Sequence, residues 1–291
     1  MELNYLVKKS DTSIKQILKS EFNMSERFIL KLKTQKCIYI NNISVPIHSS
    51  INEGDILSIM ENFIEDSDGI VPNENIILNI LFEDDYLLIL DKPAGLPVHP
   101  SILHYEDSLS NGVKAYFNKI GLKKKIRPVN RLDKDTSGIV IFAKNEYIQE
   151  CLVKQMSNNS FKKKYIAILE GILEKESGTI NAPIARKNDS IIERCISESG
   201  DTAISHYKVI KRFDNMTEVE YTLETGRTHQ LRVHSAFIGH SIIGDTLYGH
   251  ESKLIPRQAL HSYYVSFIHP ITKKEMVIHS ELPSDICRLL Q

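Results

Sequence analysis

Apolar residues recur along this chain at two spacings, and the spacing changes near residue 60. In "TSIKQILKSEF" Ile14, Ile17 and Leu18 share one helical face behind Thr12 or Ser13 as a cap. "SERFILKLKTQK" repeats the pattern, with Phe28, Ile29 and Leu32 behind Ser25 and basic residues towards its end. The short strand-like runs "CIYIN" and "DILSIM" follow, around the turn-forming "NNIS" and "NEGD". Two helices and a hairpin make a compact appendage rather than an enzyme core. Next, "ENFIEDSDGIVPNEN" is acidic and carries Gly69 and Pro72, with little periodicity. It predicts a linker over 63–75, between a small unit at 1–62 and a large one at 76–291.

Past the linker, "IILNILFEDDYLLILDKPAG" predicts two strands hinged on an acidic turn and ended by Pro93 and Gly95. "SLSNGVKAYFNKI" predicts a helix capped by Ser108 or Ser110, and "SGIVIFAK" a buried strand. "EYIQECLVKQM" places Ile148, Leu152 and Met156 on one helical face. "KYIAILEG", "SHYKVIKRF" and "MTEVEYTLETG" alternate as strands, "THQLRVHSAFI" suits a helix, and "HSYYVSFIHP" is a closing strand. Hairpin-length gaps without a βαβ rhythm indicate an α+β fold, an antiparallel or mixed sheet with helices around it.

Composition places few limits on this picture. The chain of 291 residues is 42% hydrophobic and 25% charged, as in ordinary soluble proteins. No long uncharged apolar run signals a membrane span, and "MELNYLVKKSD" lacks the features of a signal peptide, so a cytoplasmic location is expected. Cys37, Cys151, Cys195 and Cys287 form no C-x-x-C pair and read as free structural thiols. The net charge of −1 argues against a polyanionic partner, but the charges are segregated. Lys8 to Lys36 carries eight basic residues against three acidic, and Gly121 to Tyr165 eleven against four, whereas acids collect from Glu53 to Asp68. Local basic fields suit a polyanion binder; solvated faces are the alternative, and charge alone does not choose.

The densest chemistry lies in "RPVNRLDKDTSGIVIFAKN", where Asp133 stands between Arg131 and Lys134 at the mouth of the buried strand. Gly138 permits a tight turn, and Asp135, Thr136 and Ser137 can hydrogen-bond it. A carboxylate mounted there can be a nucleophile, a base or half of a structural ion pair. The spacing itself leaves these open.

"NRLDKDTSGIVIFAKN" is similar to the H-R-L-D-x-x-T-S-G signature of the RluA-type pseudouridine synthases. Further blocks follow in the family's order: "KPAGLPVHP" before the signature, then "KKKYIAILEG", "LETGRTHQLRVHSAFIGHSIIGDTLYG" and "RQALHSYYVSFIHPIT". The likeness runs from about Ile76 to Pro283. The N-terminal unit, through "CIYINNISVPIHSSINEGDIL", resembles the small RNA-binding domain named after ribosomal protein S-four, although that domain's usual arginine–leucine–aspartate opening is absent.

The resemblance implies a pseudouridine synthase fold with a mixed, largely antiparallel sheet, and an isomerase that turns uridine of structured RNA into pseudouridine. Large-subunit ribosomal RNA is the expected substrate; transfer RNA, or a catalytically silent RNA-binding or ribosome-assembly module, is the alternative. It implies Asp133 as the catalytic carboxylate, Arg232 as its basic partner and Tyr165 as the active-site tyrosine. Arg131 would fill the space left by a flipped base. Lys134, Thr136, Arg227, His229, Gln230, Lys162, Lys163 and Lys164, with Lys31 and Lys33 of the N-terminal unit, are the remaining candidates for RNA contact. No cofactor, metal or obligate protein partner is expected: the rearrangement imports no group, and His229 and His234 stand five apart, not at the H-E-x-x-H spacing of a zincin. Asn130 departs from the family's histidine, and altered loop support is expected there.

Overall fold

In this computed structural model, which describes residues 1–9, 12–61, 65 and 67–291, the chain forms a small sheet, a large sheet and a separate hairpin. The N-terminal unit contains β1 (Glu2–Leu6), α1 (Ile14–Ser20), α2 (Glu26–Thr34), β2 (Ile38–Ile40), β3 (Ile43–Ser44) and β4 (Ile56–Met60). Ser13 and Ser25 cap the two helices, their side-chain oxygens accepting from the Gln16 and Phe28 N–H groups. β1 adds to the expected pair of helices and hairpin, lying antiparallel to β4 in the order β1-β4-β2-β3. Residue 62, the expected end of this unit, and residues 63, 64 and 66 of the expected linker lie outside the described residues.

The large unit contains β5 (Ile80–Glu83), β6 (Leu87–Lys92), α3 (Leu109–Lys119), β7 (Ser137–Ala143), α4 (Glu146–Ser157), β8 (Lys162–Glu170) and β9 (Ser177–Asn181). It continues with β10 (Ile184–Arg186), β11 (Arg194–Ile196), β12 (Ile204–Arg212), β13 (Met216–Leu223), α5 (Gln230–Phe237), β14 (Leu260–Ile268), β15 (Glu275–His279) and α6 (Ser284–Leu289). Its 9-stranded sheet runs β5-β6-β7-β14-β8-β13-β12-β9, with β15 also on β14. β7 and β14 pair in parallel and the other neighbours antiparallel, giving the mixed, largely antiparallel sheet of the α+β expectation. "HSYYVSFIHP" is not the closing strand, since β15 and α6 follow it. β10 and β11 form a separate two-stranded sheet.

Burial explains why some strands alternate and others do not. In β12 and β13 Tyr207, Val209, Val219 and Tyr221 face the core between more exposed neighbours, the pattern of a sheet covered on one face. β6 and β7 are covered on both. Leu88, Leu90, Val140 and Phe142 pack with Val113 and Phe117 of α3 and Ile286 of α6. Leu87, Ile89, Ile139 and Ile141 pack the other way, with Tyr147, Ile148 and Leu152 of α4 and the N-terminal unit. Phe28 stacks on Tyr147 at 5.7 Å, the Tyr147 hydroxyl donates to the Phe22 carbonyl at 2.9 Å, and Ser25 donates to Glu150 at 2.8 Å. The N-terminal unit is therefore packed on the second face of the sheet rather than hung from it.

The segregated charges meet each other. Arg127 grips both oxygens of Glu65, at 2.6 and 2.7 Å, and the Lys125 N–H donates to the same carboxylate. Asp68 accepts from the Ile126 N–H and pairs with Lys114 at 3.1 Å, and Lys124 pairs with Glu61. Part of the basic stretch thus straps the acidic linker down. Burial works against the Glu65 charge, but Arg127 and the Lys125 N–H outweigh it and hold its carboxyl below the usual glutamate range. A lowered folded-state pKa means stability that is present above the ordinary glutamate value and lost as pH falls through the lowered one. Glu65→Ala should therefore reduce unfolding free energy by roughly 3 kcal/mol at neutral pH. In urea titrations the gap between wild type and variant should close on acidification; a gap that is absent, or widens in acid, would contradict the strap.

Candidate active site

Asp133 sits on a loop that is clamped at nearly every residue. Before it, residues 127–130 run beside β7, with the Val129 N–H donating to Ile141 and the Ala143 N–H to Arg127. Asn130, buried, extends this pairing with its side chain: its amide donates to the Ile139 carbonyl and accepts from the Ile141 N–H, both at 2.9 Å. An amide side chain presents the same donor and acceptor as a peptide, so the loop is anchored without a ring at this position. Lys92, at the end of β6 and fully buried, donates to the carbonyls of Pro93, Leu96 and Lys134. Arg257 donates to the Asp135 carbonyl while pairing through two nitrogens with Asp285. Gln258 donates to the Thr136 hydroxyl. At the root, Gly138 has φ +114° and a Cβ there would stand 2.2 Å from the Ser262 carbonyl oxygen, so β7 and β14 approach this closely only around glycine.

A single cation reaches the carboxylate from within. Arg232, on the first turn of α5 and buried, lays Nε and Nη2 on the two oxygens of Asp245, each at 2.7 Å, and Nη1 on Asp133 Oδ2 at 3.3 Å. Burial opposes the guanidinium charge, and the two carboxylates more than offset it. Asp245 is fully buried and also accepts from the Leu247 and Tyr248 N–H groups. Gly244, φ +76°, lets the preceding turn lie against the Arg257 carbonyl. The Tyr248 ring faces the Arg232 guanidinium at 5.1 Å. Its hydroxyl accepts from the Arg194 N–H and meets His229 Nδ1 at 2.7 Å. His229 has a left-handed backbone at the start of α5, and its Nε2 lies 3.9 Å from Asp133 Oδ1. Burial lowers the His229 pKa, against the pull of Asp133, which favours a neutral ring.

Tyr165, on β8, is buried beside this group. Burial raises its hydroxyl to about 12, and the Asp133 charge acts in the same direction. Lys92 moves the opposite way, to about 7, because burial outweighs Asp135 and Asp133. Asp133, Tyr165 and Arg232 border one cleft of about 870 Å³, together with Arg131, Lys163 and Arg227. The Asp133 side chain keeps 25% of its surface open to it, against 9% for Arg232.

The other candidates for RNA contact are distributed unevenly. Arg131, Lys162, Arg227 and Lys33 are exposed, and so is Lys134, whose ammonium also meets His104. Thr136 and Gln230 need correction: both are buried, Thr136 bonding Gln258, and Gln230 bonding Ile204, Ser205, Thr225 and the Arg227 N–H. They shape the cleft wall instead of offering free polar atoms. Lys31 is bound to Glu146 and Glu65, and Lys164 to Glu220, so neither is a free cation. Asp245, Tyr248 and Lys92 were not picked out by sequence, although "GDTLYG" and "KPAG" sit within the matching blocks.

Comparison with known proteins points one way. Residues 86–237 match the family model described as RNA pseudouridylate synthase. The "Uncharacterized RNA pseudouridine synthase YjbO" of Bacillus subtilis (strain 168) is 38% identical over 272 residues, 93% of this chain and 96% of that protein. The "Ribosomal large subunit pseudouridine synthase D" of Nitrosomonas europaea is 35% identical over 266 residues, 88% of this chain and 77% of its own. The fold resembles the solved structure of human RNA Pseudouridylate Synthase Domain Containing 1, with a TM-score of 0.59 and 22% identity over 75% of this chain and 86% of the human one.

Removing the Asp245 charge would leave the buried Arg232 short of one partner. Asp245→Asn, which keeps an acceptor for the Leu247 and Tyr248 N–H groups, should lower unfolding free energy by roughly 3 kcal/mol. Equilibrium denaturation of the two proteins checks this. A variant as stable as wild type would show that Asp245 does not hold the arginine.

Proposed function

The chain belongs to the RNA pseudouridylate synthase family, and from that membership we propose that it acts on uridines of large-subunit ribosomal RNA, with Asp133 as the catalytic carboxylate. The activity is isomerisation of uridine in RNA to pseudouridine. The bond from ribose C1′ to uracil N1 breaks, a bond from C1′ to C5 forms, and the hydrogen lost from C5 is balanced by one gained at N1. The ribosomal target is carried by the Nitrosomonas relative, whose name specifies the large subunit. Transfer RNA is the competing substrate. The cytoplasm is the compartment proposed for this reaction, and four free cysteines fit it.

One observation carries the catalytic assignment: an anchored carboxylate opens into a nucleotide-sized cleft while a buried arginine holds its inner oxygen. An unpaired carboxylate there would repel an approaching phosphate chain. Paired to Arg232 it stays oriented when RNA excludes water. The target base must leave its stack to reach Asp133, at a cost of a few kcal/mol, and Arg131 at the cleft edge is placed to occupy the gap. Tyr165 offers a ring to stack on uracil, and its hydroxyl, raised to about 12 by burial, can take up the C5 proton only as a relay that passes its own proton on. The N-terminal unit is assigned to RNA binding through its S-four resemblance, with exposed Lys33 on α2 as a contact. A silent binding module is disfavoured, since binding alone has no use for a carboxylate facing a polyanion.

Release of tritium from RNA labelled at uracil C5 measures the reaction directly. Wild-type protein should release it from large-subunit ribosomal RNA and not from transfer RNA; the reverse would reassign the substrate, and silence on both would support the binding module. Asp133→Ala should lower release by roughly 10³-fold or more while RNA affinity persists. A variant that turns over normally would remove Asp133 from the chemistry. Tyr165→Phe keeps the ring and should lose roughly 10²-fold in turnover, an effect that would be missing if only stacking matters.

A further inference from the structure

A second cavity, of about 420 Å³, adjoins the catalytic cleft, and the two share Arg131, Gly226, Arg227 and Thr228 as lining. Its far wall is the β10–β11 hairpin, which contributes Arg186 and Arg194. We propose that this arginine-lined cavity is a phosphate-binding subsite for the RNA backbone flanking the flipped nucleotide. The identity of the polyanion rests on the proposed isomerisation, but the anion site itself rests on the following geometry.

Arg186 and Arg194 are directly opposed partners in the antiparallel register of β10 and β11, so they stand on the same face. Like charges so placed destabilise a strand pair, and strands of three residues have little stability to lose. An anion between the two guanidinium groups turns that repulsion into binding. Among the described residues no ion pair joins a carboxylate to Arg186 or Arg194. Arg186 and Arg131 have no ion pair among the described residues, and the acid lining this cavity, Asp201, lies 3.5 Å from Arg227.

Arg194 is also held in place. Arg194 donates through Nη1 to the carbonyls of Ile192 and Glu193, and its backbone N–H donates to the Tyr248 hydroxyl. That hydroxyl meets His229, and the Tyr248 ring lies on Arg232, so one tyrosine ties the hairpin to the partner of Asp133. The hairpin is backed by residues 199–201: the Asp201 and Ile184 peptides bond each other in both directions. A Cβ on Gly200 would stand 2.5 Å from the Ile184 carbonyl carbon. A planar guanidinium fork matches the oxygens of a phosphodiester. With the uridine drawn into the larger cleft, the backbone beside it passes over the shared edge at Arg131 and Arg227 and reaches Arg186 and Arg194.

Filter binding of total cellular RNA across a range of salt concentrations tests this, with tritium release from the same RNA labelled at uracil C5 as a second readout. Arg186→Gln changes an exposed side chain, and Arg186→Gln/Arg194→Gln removes both charges of the hairpin. The single variant should weaken binding roughly 10-fold at low salt and reduce the slope of log affinity against log salt by about 1, the double variant by about 2. Lys119→Gln, an exposed charge at the end of α3, should match wild type in both readouts. Millimolar inorganic phosphate should weaken wild-type binding more than that of the double variant if the cavity takes any phosphate. An equal effect on both assigns the site to the RNA backbone alone. Slopes and affinities of the arginine variants equal to those of Lys119→Gln would overturn the proposal. Wild-type protein that binds RNA but releases no tritium would refute the isomerase reading, and the salt slopes would still decide the subsite.

Discussion

A guanidinium buried under a sheet must be neutralised by the fold, and Arg232 is neutralised twice. Asp245 takes two of its nitrogens at 2.7 Å, while Asp133 receives the third at 3.3 Å. The unequal distances suit a division of roles. The internal carboxylate sets where the arginine lies, and the arginine then sets where the external carboxylate lies, leaving the outer oxygen turned to the cleft. Fully burying one ion pair is costly in isolation, and here the additional N–H donors of Leu247 and Tyr248 complete the Asp245 shell.

The same logic extends through the loop. Carbonyls at 134 and 135 accept from buried cations, Lys92 and Arg257, and a side-chain amide continues the strand ladder at 130. None of these groups touches the cleft with its charge; they convert a polar connection into something as rigid as the sheet beneath it. A carboxylate proposed to meet a flipped base within a fraction of an ångström needs such a mount. Burial of both faces of β6 and β7 supplies the foundation, and on one of them Ile139 and Ile141 share an apolar cluster with α4 and the N-terminal unit.

Much of this was legible in the order of residues, and the remainder was hidden for identifiable reasons. Periodicity located α1 to α5 and the long strands because their faces differ in burial, and it missed β15 and α6 beyond the HSYYVSFIHP run. It passed over β9, β10 and β11, whose strands are short and polar, and β1, whose five residues were read only for targeting. Asp133, Tyr165 and Arg232 came from resemblance, since residues 99 apart in sequence carry no local sign that they will touch. Candidate RNA contacts fared worst. Sequence gives the sign of a charge but not its partner, so Lys31 and Lys164, already paired, looked the same as Arg131 and Lys162. Thr136 and Gln230 stood in the matching blocks for their internal hydrogen bonds, not for groups offered to solvent.

The near-neutral total charge can now be reconciled with a polyanionic substrate. Acids at 61, 65 and 68 neutralise Lys114 of α3 and Lys124 and Arg127 of the stretch that follows it, so those cations stabilise the assembly and contribute little field at the cleft. Among the described residues Arg131 and Arg186 have no ion pair, and both line the cavity next to the opening where Asp133 is exposed. Net charge counts both populations alike and is therefore a poor guide here. The relevant quantity is the local one, the cations beside the cleft that folding leaves without a carboxylate, and Arg131 and Arg186 are of that kind.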